Sequence, residues 1–373
     1  MYQNTSFRFK VFCLLLLFLC SILLIPSCSV QKPTLSSSSD NVSNISGTSS
    51  IESSFFSSNL SEEPLLEVCF FDVDQADSAL FRSPDGKTLL IDAGDIATKY
   101  TLQEKLESLQ IERIDILIAT HPHSDHIGGM QQIIENFEIG CIYLPDAVHT
   151  SKLYLSLLDC IEEKEIPVYE AKAGVTFSLG QTVECEIVAP CQSYEDLNNT
   201  SAVVHIVYKD ISFLMTGDAE TLSETDILAE TTPVHLRSTV LKAGHHGSST
   251  SSGDAFLDAV SPQYAIISCG IDNSYGHPHT ETLERFAARN IKTFRTDELG
   301  DIWAVSDGKN ISFSQEGVIP ETEAEHMQYV YITDSGKTYH KEDCSSLAKS
   351  KHKITLQEAK EKGYTACKRC FSN

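Results

Sequence analysis

The sequence predicts an α/β fold in which two mixed sheets form a sandwich with helices on the outside. The first observation is that short apolar runs typical of strands alternate with segments of helical periodicity along residues 65–305. The second is that tight turns join some of these strands and helices join others, which mixes antiparallel and parallel pairs. Such a mixture is typical of layered α/β architectures.

The first half of this region opens with strands and then alternates with helices. Strands are predicted at 65–73, 79–83, 88–92, 114–119 and 141–144, and helices at 99–109, 129–137 and 151–163. In the first helix, Leu102, Leu106 and Leu109 recur at the spacing of one buried face. The alternation therefore begins directly after an antiparallel start.

The second half repeats the mixed pattern. Strands are predicted at 183–189, 202–208 and 211–215, with Lys209 and Asp210 as the hairpin turn between the last two. Further elements are predicted at 222–228, 240–242, 255–260, 264–268, 280–288, 293–295 and 302–305. The two halves together predict two sheets with helices outside them.

Residues 118–130, Ile-Ala-Thr-His-Pro-His-Ser-Asp-His-Ile-Gly-Gly-Met, contain three histidines and one carboxylate close together. His121 and His123 lie on the same side of an extended segment, because side chains there repeat every two residues, so the two can share one ion. Asp125 and His126 follow a turn and are predicted to bind a second ion nearby. Mixed imidazole and carboxylate ligands suit zinc, with manganese or iron as competitors.

An aspartate is presented at the end of the predicted strand 211–215, in the run Met-Thr-Gly-Asp-Ala-Glu. Because a carboxylate can bridge two cations with its two oxygens, Asp218 is predicted to be a shared metal ligand. The alternative is that it caps a helix that begins at Ala219.

A pair of histidines follows the predicted strand 240–242, in the run Gly-His-His-Gly-Ser-Ser. Adjacent side chains of an extended chain point in opposite directions. One of His245 and His246 is therefore predicted to bind metal while the other meets substrate or donates a proton. We slightly favour His245 as the ligand.

The chain has 373 residues and a net charge of −24. Its length allows a large core and more than one domain. An acidic surface repels polyanions, so nucleic-acid binding has to be confined to a local region. No repeat of solenoid period occurs, and beyond the N-terminus no apolar run is long enough to span a membrane.

Residues 1–28 are predicted to be an export signal. Arg8 and Lys10 precede an apolar run at 11–25, and Pro-Ser-Cys follows it. The arrangement resembles a bacterial lipoprotein signal, in which Cys28 becomes the lipid-modified first residue of the mature protein. An uncleaved anchor helix is the alternative, and either arrangement places the rest of the chain outside the cytoplasmic membrane. Residues 29–63 are rich in Ser and Asn and are predicted to be a flexible tether.

Six cysteines are scattered through the central region, mostly in strand-like runs, and are expected to be buried small apolar residues. They are Cys69, Cys141, Cys160, Cys185, Cys191 and Cys269. A disulfide between Cys185 and Cys191 is the alternative in an exported protein.

The composition changes after residue 315. Residues 316–328 are polar and acidic and are predicted to be a linker, and residues 329–373 a small metal-binding module. A tetrahedral zinc site suits its His-x3-Cys and Cys-x2-Cys pattern, and so short a domain needs such a staple. The four predicted ligands are His340, Cys344, Cys367 and Cys370. A disulfide with one spare thiol is the alternative.

This C-terminal module is basic. From residue 337 onward it has nine Lys or Arg residues and four Asp or Glu residues, which leaves a net charge of +5. We expect the module to hold DNA or an anionic wall polymer near the histidine-rich site. A solvated lysine face is the alternative. The module is similar to small metal-binding modules of DNA-repair and nuclease proteins.

Residues 65–315 resemble the metallo-β-lactamase-fold hydrolases, and within them the hydrolase domain of the ComEC-type competence proteins, which act in DNA uptake. The motifs that carry the resemblance occur in the family's order. They are 72–78 (similar to Asp-Val-Gly-Gln-Gly-Asp-Ser), 121–126, Asn198-Asn199-Thr200-Ser201, Thr216-Gly217-Asp218, His245-His246-Gly247-Ser248 and Tyr275-Gly276-His277-Pro278. The resemblance implies a four-layer αββα sandwich over residues 64–315 and one or two divalent ions, Zn or Mn, in its site.

The sequence departs from the family pattern in two places. Asp74 and Ala76 replace both glycines of the first motif. No histidine stands where most of the superfamily has a ligand between the first motif and the bridging aspartate, and His205 is interpreted as a strand residue. The family pattern offers Asn199 and Ser201 instead, which leaves the first ion with fewer protein ligands.

The resemblance and the ligand types imply hydrolysis, in which metal ions activate water and stabilise the attacking and leaving oxygens of a phosphodiester. Asp125 belongs to the reacting centre. His277 and the member of the His245/His246 pair that binds no metal are predicted to protonate the leaving group. Asp72, Asp77 and Asp92 are predicted to orient ligand imidazoles, with strand-end turns as the alternative.

The sequence therefore predicts a membrane-tethered, extracellular, metal-dependent hydrolase that cleaves a phosphodiester, with DNA as the favoured substrate. A phosphodiesterase for a cell-wall polymer of the teichoic-acid type is the second hypothesis. A surface DNA-binding protein with a structural metal site is the third. The missing third histidine argues against a β-lactamase.

Overall fold

The computed structural model describes residues 64–320, 329–342, 344–347 and 350–371. The predicted export signal with Cys28, the tether 29–63 and most of the predicted linker lie outside the described residues. Among the described residues, no helix is both long enough and apolar enough to cross a membrane.

Eight strands form the first sheet, which is mixed. They are β1 (Leu66–Phe70), β2 (Ala79–Arg82), β3 (Thr88–Ile91), β4 (Arg113–Ile118), β5 (Glu138–Leu144), β6 (Val168–Glu170), β14 (Ile302–Ser306) and β15 (Ile311–Phe313). Their order across the sheet is β15-β14-β1-β2-β3-β4-β5-β6. The pairs from β15 to β3 are antiparallel, and those from β3 to β6 are parallel.

Seven strands form the second sheet, which is also mixed. They are β7 (Val175–Leu179), β8 (Val183–Ala189), β9 (Val203–Tyr208), β10 (Ile211–Met215), β11 (Val240–Lys242), β12 (Tyr264–Ile267) and β13 (Lys292–Arg295). They lie in the order β13-β12-β11-β10-β9-β8-β7. The pairs from β10 to β13 are parallel, and the pairs from β7 to β10 are antiparallel. Lys209 makes the predicted hairpin turn with φ of 54°.

Helices cover the outer face of each sheet. The helices are α1 (Lys99–Ser108), α2 (Ser124–Ile127), α3 (Met130–Asn136), α4 (Lys152–Glu163), α5 (Thr221–Glu230), α6 (Pro233–Leu236), α7 (Asp254–Val260), α8 (Thr280–Ala288) and α9 (Thr296–Leu299). One buried apolar cluster joins α1, α3 and α4 to the first sheet, and another joins α5, α7 and α8 to the second. A third lies between the sheets, where Phe81 meets Phe213 edge-on at 5.4 Å. The predicted four-layer αββα sandwich is confirmed.

Three strands that the apolar pattern did not predict, β6, β7 and β15, are edge strands of the two sheets. All three residues of β6 are exposed, and β7 alternates between half-buried and exposed residues for most of its length. An edge strand has a neighbour on one side only, so fewer of its side chains need to be apolar. This explains why their sequences lacked a clear signal.

Cys185 and Cys191 are both free thiols, so the alternative of a disulfide between them is wrong. Cys185 is buried in β8, between the two sheets, as expected of a small apolar residue.

The C-terminal module is built from short elements. They are β16 (Tyr329–Ile332), β17 (Thr338–Tyr339), β18 (His352–Thr355), α10 (Leu356–Glu361) and β19 (Thr365–Ala366). β16 pairs with β18 antiparallel, and β17 pairs with β19 parallel. Thr355 and Glu358 form a capping box that starts α10.

Candidate metal centre

The loops that follow four central strands supply the centre. Asp92 follows β3, and the histidine-rich motif follows β4, its parallel neighbour in the first sheet. Asp218 follows β10, and the histidine pair follows β11, its parallel neighbour in the second sheet. Parallel neighbours end at the same edge of a sheet, so these polar side chains meet at the carboxyl ends of the strands.

Asp125, His126, Asp218 and His246 form one group, the inner cluster, whose ligand atoms all lie within 4.8 Å of one another. Asp218 Oδ1 lies 3.2 Å from His126 Nε2 and 3.7 Å from His246 Nε2. Asp125 Oδ2 lies 3.4 Å from His246 Nε2. The structure thus brings together predicted metal ligands from three separate loops.

Three atoms of the inner cluster are buried and make no hydrogen bond: His126 Nε2, Asp218 Oδ1 and His246 Nε2. A buried polar atom left without a partner costs about 1–3 kcal/mol, so three of them close together need an explanation. A divalent cation would satisfy all three at once. Two imidazoles and two carboxylates are ligands that zinc and manganese accept, so the inner cluster fits such an ion.

His121 and His245 lie near the other oxygen of Asp218, and His123 contacts His121. These three histidines and this oxygen form the outer cluster. His121 Nε2 and His245 Nε2 each lie 3.8 Å from Asp218 Oδ2. His123 Nδ1 lies 3.0 Å from His121 Nε2, so the two histidines can contact one ion as the spacing predicts. Asp218 therefore presents one oxygen to each cluster.

The sequence predicts that His245 and His246 point in opposite directions. In the structure both direct Nε2 toward Asp218, His245 to one carboxylate oxygen and His246 to the other. Their φ angles are 48° and 54°, in the left-handed region, so the chain is not extended here and alternation does not apply. We favoured His245 as the ligand, but the structure places the fully buried His246 in the inner cluster. His245, whose side chain is 25% exposed, belongs to the outer cluster.

Both imidazoles of the inner cluster are held from behind through Nδ1. Asp92 Oδ2 lies 2.7 Å from His126 Nδ1, and Thr120 donates its backbone N–H and its hydroxyl to the same carboxylate, at 2.8 and 2.7 Å. His246 Nδ1 donates to the carbonyl of Ser268 at 3.0 Å. Because Nδ1 is engaged in each ring, Nε2 faces the centre.

Asp77 lies behind the same two histidines. Its Oδ1 is 3.6 Å from His246 Nδ1 and its Oδ2 is 3.9 Å from His126 Nδ1. It forms a buried ion pair with Lys242, the last residue of β11. The sequence analysis did not single out this lysine, although a lysine inside an otherwise apolar strand directly before the histidine pair was a usable signal.

Asp72 takes no part in the centre. Its Oδ1 accepts the backbone N–H of Asp74 at 3.2 Å, and its own N–H donates to Asp301 at 2.7 Å. The structure therefore makes Asp72 a turn residue after β1, which is the alternative that the sequence left open, and does not bring its carboxylate to a ligand imidazole.

Ser201 and Asn199 support the loop of Asp218. The Ser201 hydroxyl accepts the backbone N–H of Asp218 at 3.0 Å and lies 3.3 Å from His121 Nδ1. Asn199 Oδ1 instead accepts the backbone N–H groups of Glu220 and Ser223, at 3.3 and 3.0 Å. Ser201 thus contacts a ligand imidazole directly, whereas Asn199 fixes the start of α5.

Two alternatives for single residues can now be decided. The N-cap of α5 is Glu220, so Asp218 is not a helix cap. His205 lies within β9, opposite Leu214 of β10, and is a strand residue as the sequence indicated.

The carboxylates make the centre attractive to positive charge. Burial and the neighbouring His126 hold the pKa of His121 well below its usual value, so this ring is neutral and able to bind metal at neutral pH. Burial opposes charge on His126 as well, but the carboxylates of Asp218 and Asp92 outweigh it and raise the pKa of His126 well above its usual value. A metal ion would take the place of that proton.

A cavity of about 560 Å³ opens above both clusters, and His277 lines it. Gln75 holds the ring, with its Nε2 3.3 Å from His277 Nδ1, and Gln75 Oε1 accepts the backbone N–H of Gly270. Burial and the nearby histidines lower the pKa of His277 to about 4. At neutral pH this imidazole is therefore uncharged, which favours hydrogen bonding to a bound group over proton donation.

Two further residues of the site carried no signal that the sequence analysis used. Glu220 Oε1 lies 3.1 Å from His245 Nδ1 and so orients the exposed histidine of the outer cluster. His149, in the loop after β5, lines the cavity with its ring centre 6.4 Å from that of His123. Ser151, the N-cap of α4, lies 2.9 Å from its Nδ1.

In the C-terminal module the four predicted zinc ligands form one group, with ligand atoms within 4.8 Å of one another. Cys344, Cys367 and Cys370 are free thiols, so the alternative of a disulfide is wrong. Backbone N–H groups lower the pKa of the Cys344 and Cys367 thiols, and His340 Nδ1 lies 3.3 Å from Cys344 Sγ. Burial raises the pKa of the third thiol, Cys370. One imidazole and three cysteine sulfurs are nevertheless a ligand set that fits a structural zinc ion.

An αββα sandwich with histidines and carboxylates at the ends of its central strands is typical of metal-dependent hydrolases. The chain belongs to the metallo-beta-lactamase superfamily, whose sequence profile matches residues 71–271, more than half of its length. This confirms the family resemblance that the motifs indicated.

Three relatives are competence or recombination proteins. ComE operon protein 3 of Bacillus subtilis is 28% identical and matches 63% of this chain, and competence protein ComA of Neisseria gonorrhoeae is 34% identical over 62%. Recombination protein 2 of Haemophilus influenzae is 30% identical over 60% of this chain. The matches cover 32%, 31% and 26% of those proteins, so the chain spans a third of their length or less.

Proposed function

We propose that this protein is a metal-dependent phosphodiesterase that cleaves DNA. The observation that carries the proposal is the position of Asp218, which directs one carboxylate oxygen to the inner cluster and the other to the outer cluster. A shared carboxylate of this kind suits two cations held side by side. Divalent ions there supply Lewis-acid activation of water and of the scissile phosphate oxygens.

The protein's own groups provide the surroundings of the reaction. His126, His246 and Asp218 of the inner cluster are buried. Asp125 and the outer histidines His123 and His245 are partly exposed where they line the cavity that substrate would enter. Gln75 fixes the ring of His277 at the wall of the cavity that Asp218 and His245 also line. We propose that His277 orients the substrate by hydrogen bonding.

The charge distribution and the relatives favour DNA. The C-terminal module is basic although the whole chain has a net charge of −24. On its β16–β18 ribbon, Lys353 lies 3.8 Å from the ring centre of Tyr329, and Lys351 lies 4.5 Å from that of Tyr331. Ammonium and aromatic groups side by side suit a polymer of phosphates and bases. The competence and recombination relatives are consistent with this substrate.

We further propose that the protein acts on the outer face of the cytoplasmic membrane. This rests on the basic and apolar regions of residues 1–28, which end at Cys28, the predicted lipid acceptor. The Ser- and Asn-rich residues 29–63 would then act as the tether between the membrane and the hydrolase domain.

The test uses the full-length chain in mild detergent, with zinc or manganese added, and compares it with Asp218→Ala. Asp159→Ala, which removes an exposed carboxylate on α4, is the matched control. We expect the native chain and the control to hydrolyse bis(p-nitrophenyl) phosphate and linear DNA, and Asp218→Ala to lose both activities.

Two results would change the assignment. Turnover of the small ester without cleavage of DNA would favour a phosphodiesterase for a cell-wall polymer. DNA binding that survives Asp218→Ala, with no hydrolysis of either substrate, would favour a binding protein with a structural metal site.

A further inference from the structure

A large aromatic side chain is exposed at the mouth of the cavity. Tyr275 lies in the loop between β12 and α8, lines the cavity and is 67% exposed. Leaving a tyrosine ring in water forgoes the stabilisation that its burial would provide. A ligand that binds against the ring would explain why it is exposed beside the metal centre.

The loop that carries Tyr275 is held in place by hydrogen bonds within it. Asn273 Nδ2 donates to the carbonyls of Gly270 and His277, at 3.0 and 2.6 Å, and Asn273 Oδ1 accepts the His277 N–H at 2.9 Å. His279 Nε2 lies 3.2 Å from the Tyr275 carbonyl oxygen. The backbone beneath the ring is therefore anchored on both sides.

Three rings form a stack that runs from the inner cluster to the surface. The ring of His277 lies 6.2 Å from that of His246 at an interplanar angle of 21°. The ring of Tyr275 lies 5.6 Å from that of His277 at 20°. Near-parallel rings at these distances form a platform that another planar group can extend.

The cavity wall also includes an exposed aliphatic side chain. Ile96, which follows Asp92 in the loop before α1, lines the cavity and is 49% exposed. A planar group beside Tyr275 would gain an aromatic contact, and Ile96 offers an aliphatic surface in the same cavity. A polymer without aromatic groups would gain little from either contact.

We propose that Tyr275 stacks on an unpaired nucleobase next to the scissile phosphate, so that the site selects single-stranded nucleic acid. This inference rests on the proposed phosphodiesterase function and names its substrate more closely. A base inside a duplex is already stacked on its neighbours and is not available to Tyr275. Stacking of a base on an aromatic side chain contributes about 1–3 kcal/mol.

The test compares two esters with the same leaving group, p-nitrophenol. Thymidine 5′-(p-nitrophenyl phosphate) carries a base, and methyl p-nitrophenyl phosphate does not. In the full-length chain, we expect Tyr275→Ala to raise KM for the thymidine ester by about tenfold with little change in kcat, and to leave the methyl ester unaffected. Tyr275→Phe keeps the ring and should behave as the native chain.

The matched control is Tyr100→Ala, which removes a tyrosine of similar exposure, 58%, from α1. A second readout that needs no hydrolysis is the binding of a short fluorescent oligothymidylate, followed by anisotropy, to chains that also carry Asp218→Ala. We expect Tyr275→Ala to weaken this binding by about tenfold and to abolish any preference for the single strand over the duplex.

The outcomes separate this inference from the proposed function. If both esters are hydrolysed but Tyr275→Ala affects them equally or not at all, the stacking role is wrong and the phosphodiesterase stands. If neither ester is hydrolysed and oligothymidylate binding still depends on Tyr275, base recognition stands and the proposed activity is wrong. If binding does not depend on Tyr275 either, both are wrong.

Discussion

The inner and outer clusters share Asp218 but differ in how their histidines are supported. In the inner cluster, a buried carboxylate holds His126 from behind and a backbone carbonyl holds His246. In the outer cluster, the Ser201 hydroxyl lies behind His121, and the partly exposed Glu220 holds His245. The carboxylate behind His126 is thus buried, whereas the carboxylate behind His245 is partly exposed.

This difference suggests a division of roles between the clusters. A buried, charge-assisted hydrogen bond is stronger than one made by a neutral or exposed group, so His126 is better preorganised for a metal ion than the outer histidines. Two of the outer histidines, His123 and His245, are partly exposed in the cavity, whereas both inner histidines are buried. We therefore expect the inner position to bind its ion more tightly than the outer one.

The largest effect should come from removing a ligand of the inner cluster. We expect His126→Ala to lower kcat/KM for bis(p-nitrophenyl) phosphate by about a thousandfold or more, because several kcal/mol of charge stabilisation are lost. His123→Ala in the outer cluster should lower kcat/KM by a smaller factor, since water can fill the half-buried position of its side chain. Metal content per chain, measured by mass spectrometry, checks this independently, and equal losses in both variants would contradict the division.

The next effect concerns the ion pair behind the inner cluster. Lys242→Met leaves the Asp77 carboxylate buried without its partner, and we expect the free energy of unfolding to fall by about 3 kcal/mol. Lys87→Met, which breaks the exposed pair with Asp115, is the control and should cost less than about 1 kcal/mol. Urea denaturation followed by circular dichroism measures both. Equal losses of unfolding free energy in the two variants would show that burial of the Asp77 charge does not determine how much its ion pair stabilises the fold.

A smaller effect should follow from weakening the groups behind the histidines. Asp92→Asn keeps the shape of the side chain but removes its charge, and we expect zinc affinity to fall by about 10- to 100-fold. Ser201→Ala removes only a neutral hydroxyl near His121 and should lower it by less than about tenfold. Competition with a chromophoric chelator measures the zinc affinities. A larger loss of affinity in Ser201→Ala than in Asp92→Asn would show that the outer cluster depends more on its supporting group than the inner cluster does.

The smallest effect is expected at Glu220. Glu220→Gln replaces a charge-assisted contact to His245 by a neutral one in a partly exposed position, so affinity for the second ion should fall by about fivefold. Affinity for the first ion should not change. A calorimetric titration with zinc resolves the binding of the two ions if their affinities differ as expected. A loss of affinity confined to the tighter ion would contradict the assignment of His245 to the outer cluster.

The sequence predicts those parts of the fold whose helices and strands show a clear apolar pattern within their own residues. Helices and central strands followed from apolar periodicity, because each buries a face against a neighbouring layer. The edge strands β6, β7 and β15 could not be found in this way, because they bury little surface. The exact domain boundaries, including the linker at 316–328, stay a prediction.

By itself, the sequence determined the kinds of metal-binding group, the loops that carry them and the fold class, because these depend on spacing and polarity along the chain. Only the tertiary structure decided which oxygen of Asp218 faces which histidine, and that His246 lies inside while His245 lies outside. It also placed Asp92 behind His126, 34 residues away, and left Asp72 in a turn. Such contacts depend on which distant strands become neighbours and on left-handed backbone in the loops, and the local periodicity of the chain determines neither.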